Sequence, residues 1–429
     1  MEHNQYKNFI VFWASQFVSQ LGSSMTGFAL AIWAYKQTES AMTVSLLTFF
    51  SYLPYVFVSL FAGSFVDKHK KKNIMLWSDS IAFLCSVCIV ILLLINRLQI
   101  WHIFVANFVT GFMNSFQSPA LSVAIGIMVP KDKLSNASGM NSLSSSMLTV
   151  ITPMLAAFVS SFWGLKGVIA IDMLTFSFAF GVLLLFIKIP ETMEKVSASK
   201  LNVFHDCKEG FSFILKNKGL WYLILSMALI NFFSRLTYEN ILPAMLLARS
   251  GGNENILGIV SGLLGAGGIA GGLYVSFFKI PKNSIKMIYF SAALSFIMGD
   301  LLMGLGQNVW IWCIAGLAAS VPIPFINAGQ NVIIYRQIST GMQGRVFAVR
   351  NAVQYVTIPI GILLGGFLAD FVFEPFMQSG KPLALLMQKA VGTGAGSGMA
   401  IMFLCTGVSG CLTSLLWYRN SRIKKMNTK

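Results

Sequence analysis

Twelve long apolar runs, separated by short polar connections, make up almost the whole chain. They cover 9–34, 43–66, 74–95, 101–128, 136–160, 167–188, 219–247, 256–278, 285–305, 309–335, 346–372 and 397–418. Each reaches the roughly 20 residues that a helix needs to cross the hydrocarbon core of a bilayer. The pattern predicts an all-α integral membrane protein with twelve transmembrane helices. Two connections are long, 189–218 and 373–396. The first follows six runs, so three parts are expected: a six-helix bundle at 1–190, a cytoplasmic central loop at 191–217 and a second six-helix bundle at 218–429. The stretch from Asp206 to Lys218 has helical character and is expected as a short amphipathic helix on the membrane surface.

Composition agrees with the bilayer as solvent. Of 429 residues, 55% are hydrophobic and 11% charged, against about 25% charged in soluble domains. So little polar material cannot cover an aqueous surface. The first run, Phe9 to Ala34, is too long for a signal-peptide core and has no clear cleavage site. The net charge of +16 does not imply a nucleic-acid partner. Its basic residues stand in short connections rather than on one amphipathic face. Of the 31 Lys and Arg residues, Lys36, Arg97, Lys166, Arg249, Lys381 and Lys389 fall on one side of the membrane and Arg235 lies inside a run. All the others fall on the opposite side, together with both termini. The positive-inside rule makes that side cytoplasmic.

Few soluble chemistries are open to this chain. No G-x-x-x-x-G-K-[ST] phosphate loop occurs, which argues against an ATP-driven pump. The loops contain no nucleophile–base set and no metal cluster, so neither an enzyme nor a bound cofactor is expected. Cys85-x-x-Cys88 lies inside an apolar run, where lipid- or core-facing thiols are the expected reading.

The two halves repeat each other weakly. LSNASGMNSLSSSMLTVITPMLAAF from Leu134 aligns with TGMQGRVFAVRNAVQYVTIPIGILLGGF near the eleventh run, and Pro153 falls on Pro359. SPALSVAIGIMVP at Ser118 matches IPFINAGQNVIIY at Ile323 with one residue of slippage. Internal repeats of this kind build many transporters.

GSFVDKHKKK, between the second and third runs, places Gly63, Asp67, Lys68, Lys71 and Lys72 in one tight connection. These residues resemble the G-x-x-x-D-R-x-G-R-K signature of the major facilitator superfamily, with Lys68 for the usual Arg and Lys70 for the second Gly. TESAMTVSLLTFFSYLPY at Thr38, IDMLTFSFAF at Ile171, CKEGFSFILKNKGL at Cys207, GRVFAVRN at Gly344 and VFEPFM at Val372 resemble its drug-exporter branch, which contains macrolide efflux proteins and the enterobactin exporter. Other superfamily motifs are degraded. Asn107 stands where an Arg would precede Gly111. The fifth-run antiporter pattern survives as Thr149, Thr152-Pro153 and Ala156-Ala157. The resemblance implies the major facilitator fold, a bacterial cytoplasmic membrane and proton-coupled antiport by alternating access. It also implies an amphipathic, macrolide-like substrate, with protons and membrane lipids as the other partners of a monomer. A dedicated siderophore or metabolite exporter, a nutrient permease and a non-transporting sensor remain alternatives; the sensor is disfavoured because no signalling domain is attached.

Ionisable groups at bilayer depth are functional candidates. Arg235 and Glu239 stand four apart in the seventh run, share a helix face and can pair. Glu239 is the first candidate for a proton carrier, with Asp172 in the sixth run as the second. A structural ion pair is the competing reading of the first, and a helix cap or interface anchor of the second. Asp79 is grouped with the lysine cluster as part of a cytoplasmic gate, and Asp300 is expected to meet water at an outer end.

In the superfamily fold the first, fourth, seventh and tenth spans line the cavity. The resemblance therefore assigns Gln16, Gln20, Trp33, Asn107, Asn114, Asn327, Gln330 and Asn331 to substrate contact, with Trp13 and Gln117 nearby. Amides among Phe and Met suit a bulky ligand with few fixed charges; interhelical hydrogen bonding is the alternative for each. The same fold implies crossings of the fifth with the eighth span and the second with the eleventh. The glycine pairs Gly258/Gly262, Gly268/Gly272 and Gly361/Gly365 are expected there, with the serines of NSLSSSM at Asn141 facing Gly258 to Gly272. Asp67 is expected to dock at the start of the eleventh span near Gly344-Arg345 and to hold an outward-open state.

Overall fold

The computed structural model describes residues 2–130, 133–189, 203–277, 283–338 and 340–427, all helical or in connections, with no strand among them. The chain divides into two compact units. The first comprises Met1–Glu194 with Asn253–Gly262, and the second Lys195–Gly252 with Leu263–Lys429.

The first unit is built from α1 (Glu2–Thr38), α2 (Ala41–Lys68), α3 (Lys71–Leu94), α4 (Ile100–Met128) and α5 (Leu134–Leu185). Helix α5 holds two spans. Gly164, at φ +61° and ψ −168°, bends it, and that backbone conformation costs a residue without Cβ least. Ser40 caps α2 by accepting the Thr43 N–H at 3.1 Å, satisfying one of the donors that every helix start leaves open. Helices α1 and α5 cross where a Cβ at Gly22 would lie 2.2 Å from Thr175 Oγ1. Helices α2 and α4 cross where a Cβ at Gly111 would lie 2.2 Å from the Ser51 carbonyl oxygen. Two apolar clusters fill the unit. One is centred on Phe9, Phe12 and Met75, the other on Met25, Ile103 and Ile169.

The second unit begins with amphipathic α6 (Val203–Lys216), whose Ile214 is buried. Helix α7 (Lys218–Thr237) is separated from α8 (Ile241–Arg249) by the break 238–240. Next come α9 (Glu254–Phe277), α10 (Ser284–Leu294), a π-helical turn at Ser295–Leu301 and the short α11 (Leu302–Leu305). Helices α12 (Val309–Ser320) and α13 (Ile323–Gln337) form the next span, and α14 (Thr340–Leu368) the one after. A second π turn, Ala369–Phe373, leads to α15 (Glu374–Gln378), α16 (Pro382–Val391) and α17 (Ser397–Arg419). Asn217, Asn283 and Asn308 cap α7, α10 and α12.

Eight helical stretches among the described residues are long and apolar enough to cross a membrane, and one of them, Leu143–Leu185, holds both spans of α5. Helices α1, α2 and α4 complete the twelve. Two of these are less apolar for a visible reason: α1 and α4 carry the polar face of the cavity described below.

The glycine pairs fall partly where expected. Gly258 meets Ala157 and the Pro153 carbonyl, and Gly262 meets Met154 and the Val150 carbonyl. The fifth span therefore does cross the eighth, with Val150–Ala157 meeting Gly258 and Gly262. A Cβ at Gly268 or Gly272 would meet nothing within 4 Å. Gly267 and Gly271 make that helix's other close approach, against Leu317, Ser320 and Val321. Gly361 and Gly365 pack on α7 inside the second unit, the latter 2.3 Å from the Leu236 carbonyl oxygen for an added Cβ. They serve a crossing within one unit, so spacing alone misassigns them.

Arg249 ties the long connection 373–396 to the loop at Gly306. Arg249 donates to the Gly306 carbonyl at 2.7 Å and to the Val391 carbonyl. Glu374 accepts the backbone N–H groups of Gly398 at 3.1 Å and Met399 at 3.2 Å, where the start of α17 favours a carboxylate. Arg249→Ala is expected to lower the thermal unfolding midpoint of the purified protein by the equivalent of about 1–3 kcal/mol. Arg249→Lys should recover only part, because an ammonium lacks the planar fork that spans two carbonyls.

Candidate functional site

Inside the first unit lies a cavity of about 370 Å³ lined by α1, α2, α3, α4 and both halves of α5. Its polar wall comes from spacing along the helices. Gln16, Ser19, Gln20 and Ser23 turn one face of α1 inward, and Asn107, Asn114 and Gln117 do the same for α4. Positions three and four apart share a helix face. Leu30, Ile89 and Ala106 connect this wall to the apolar cluster.

Two carboxylates face the cavity. Asp172 is 4% exposed. It accepts Ser23 Oγ at 3.0 Å and Ser86 Oγ at 3.4 Å, with Thr26 beside it. Asp79 accepts Gln117 Nε2 at 2.5 Å. Its closeness in sequence to the lysines is misleading, because two turns of helix carry it to the cavity. Lys72 instead donates to the Leu184 and Ile187 carbonyls at 3.0 and 2.9 Å, satisfying groups left open at the end of α5. Asn107, standing in the place of the motif Arg, donates to the Leu47 carbonyl at 3.1 Å. The serines and Thr26 around Asp172 are the part that reading the sequence missed. They lie on two helices, α1 and α3, away from the one that carries Asp172, and no local motif marks them.

Gln16, Gln20, Asn107 and Asn114 thus share one cavity. Trp33 does not join them; it packs among the apolar residues beside Met25 and Leu30. Asn327, Gln330 and Asn331 belong to the second unit. There Gln330 accepts Gln354 Nε2 at 3.2 Å, and Asn331 accepts Arg350 Nη1 at 2.9 Å. Arg350 also holds Asn351 Oδ1. Its signal was present in the sequence, since it stands just inside the eleventh apolar run, so Arg235 is not the only cation within a run.

Arg235 and Glu239 form an ion pair. Glu239 sits in the break between α7 and α8, and Asn240 beside it donates to the Ile362 carbonyl at 3.2 Å. The break frees Glu239 from the regular helix while leaving it in reach of Arg235. Asp300 does not meet water. It is 1% exposed and accepts Thr406 Oγ1 at 2.7 Å, with the Tyr238 ring close by. The π turn directs it inward, which helical periodicity cannot anticipate. The packing of Gly63 and the side chains of Asp67, Lys68 and Arg345 lie outside what the structure describes.

A profile of the Major Facilitator Superfamily matches residues 12–362. The chain belongs to this superfamily. It is 26% identical over 373 residues to macrolide efflux protein A of Streptococcus pyogenes, covering 86% of this chain and 91% of the relative. It is 24% identical over 315 residues to the multidrug resistance protein MdtG of Proteus mirabilis, covering 72% and 74% of the two chains. Among solved structures it resembles a bacterial homologue of the iron transporter ferroportin in its inward-facing state. The TM-score there is 0.67, with 13% identity over 97% of this chain and 99% of that one. It also resembles the nucleoside transporter NupG, with TM-score 0.64, 13% identity and coverage of 95% and 99%. At these identities the structural likeness carries the fold alone. The protein is a multi-pass membrane transporter of the major facilitator type, not an enzyme.

Proposed function

We infer that the chain exports amphipathic small molecules of macrolide-like class by proton antiport and alternating access. On this reading it lies in the bacterial cytoplasmic membrane with both termini inside. The observation that carries it is the cavity of the first unit, where four amides, Gln16, Gln20, Asn107 and Asn114, are set among Leu30, Ile89, Phe83 and Phe176. A few placed polar groups on an apolar wall suit a large ligand with scattered acceptors. The macrolide efflux relatives support the substrate class. The Arg235–Glu239 pair at a helix break supports the coupling, since a substrate-driven change that separates the pair alters the affinity of Glu239 for a proton. Everted vesicles containing the protein test the reading. Adding a macrolide is expected to dissipate an imposed pH gradient, and vesicles without the protein should show no such effect. A response to siderophores alone would replace the drug-export reading. No response to macrolides, dyes or siderophores would remove proton-coupled export.

A further inference from the structure

The cavity of the first unit is acidic in a chain of net charge +16. Asp79 and Asp172 line it, and none of its lining residues is Lys, Arg or His. Asp79 is held by Gln117, whereas the hydrogen bonds that reach Asp172 among the described residues come from neutral hydroxyls. A carboxylate at bilayer depth is costly without a cation, and hydroxyl donors offset part of that cost only. A second observation is independent of charge. Gln16 is 5% exposed and faces the cavity, yet its Nε2 has no hydrogen-bond partner. A third is aromatic. Phe83 and Phe176, both lining the cavity, stack with ring centroids 4.5 Å apart and planes at 18°. Phe176 stands one helical turn beyond Asp172, so ring and carboxylate share a face of α5.

We propose that this cavity binds organic monocations: an ammonium group sits at Asp172 against the Phe83–Phe176 pair, and an acceptor oxygen of the same molecule takes the free Gln16 N–H. The inference rests on the export reading and narrows its substrate class. Carboxylate and ring face both attract a cation. The attraction of the ring face reaches about 2 kcal/mol or more once water is excluded. An uncharged ligand of the same shape would leave Asp172 as it is and forgo both contacts. The cavity then selects by charge, and its amides select among cations by their acceptors.

The test is binding rather than transport, on full-length protein in lipid nanodiscs. Benzyltrimethylammonium is the probe, and neopentylbenzene, its uncharged carbon counterpart, is the control. The cation is expected to bind saturably and the control at least about tenfold more weakly. Asp172→Asn should reduce cation affinity about tenfold or more, Asp172→Glu should retain most of it, and Phe176→Leu should weaken the cation without improving the control. Equal binding of probe and control overturns the proposal, as does undiminished cation binding by Asp172→Asn. Should Asp172→Asn fail to fold, Phe176→Leu decides: unchanged cation affinity in that variant also overturns it. Binding without vesicle transport would sink the export reading and leave the site standing. Export of neutral drugs without cation binding would do the reverse.

Discussion

Glu239→Gln is expected to abolish proton-driven efflux while the protein still inserts and folds. Gln keeps the shape of Glu and still offers Arg235 an oxygen, but it cannot exchange a proton. It imitates the protonated side chain permanently, so one half of the cycle is lost. The cost to stability should be small. Both partners of the pair are partly accessible, and the Gln amide oxygen still accepts from Arg235. Coupling free energies between sites are typically about 1–3 kcal/mol, or roughly 5–150-fold. Gradient-driven efflux should therefore fall by at least about tenfold, while thermal unfolding moves little. Normal export by the Gln variant at both acidic and neutral external pH would assign the pair a purely structural role.

Gly111→Leu should be more damaging than Gly262→Leu or Gly268→Leu. Its added Cβ would sit 2.2 Å from the Ser51 carbonyl oxygen, with two further backbone atoms of Ser51 close behind. Backbone inside a helix cannot rotate aside as a side chain does. Overpacking typically costs about 1–3 kcal/mol, and here the upper end applies. Gly262→Leu should be milder, because the nearest atoms belong to the flexible Met154 side chain. Gly268→Leu should be silent, since nothing lies within 4 Å. Yield of monodisperse protein and its unfolding temperature measure the series. Equal behaviour of Gly111→Leu and Gly268→Leu would mean that the α2–α4 crossing is looser than these distances require.

The spans were legible because burial in lipid demands unbroken apolar length, and this shows one residue at a time. The amides of α1 and α4 were legible because polar groups within such runs stand out. The limits of that reading are three-dimensional. Trp33 has the chemistry of a binding residue, but its packing is fixed by partners far away in sequence. Gly361 and Gly365 announce a close approach without naming what approaches. Arg350 was readable and was hidden only by the basic connection beside it. The hydroxyl cage around Asp172 of α5 draws on α1 and α3, and no single stretch of sequence contains it.

The π turn at Ser295–Leu301 has a consequence for how related chains should be aligned. Such a turn holds one residue more than an α-helix of the same rise, and one residue corresponds to about 100° of rotation. Deleting a single position between 295 and 301 would restore a regular helix and swing one side of it by that angle relative to the other. Asp300 would then swing away from Thr406. A relative lacking this inserted residue should therefore also lack the carboxylate, or carry its hydroxyl partner at a different place on the last helix. Insertion and acid are expected to be gained or lost together.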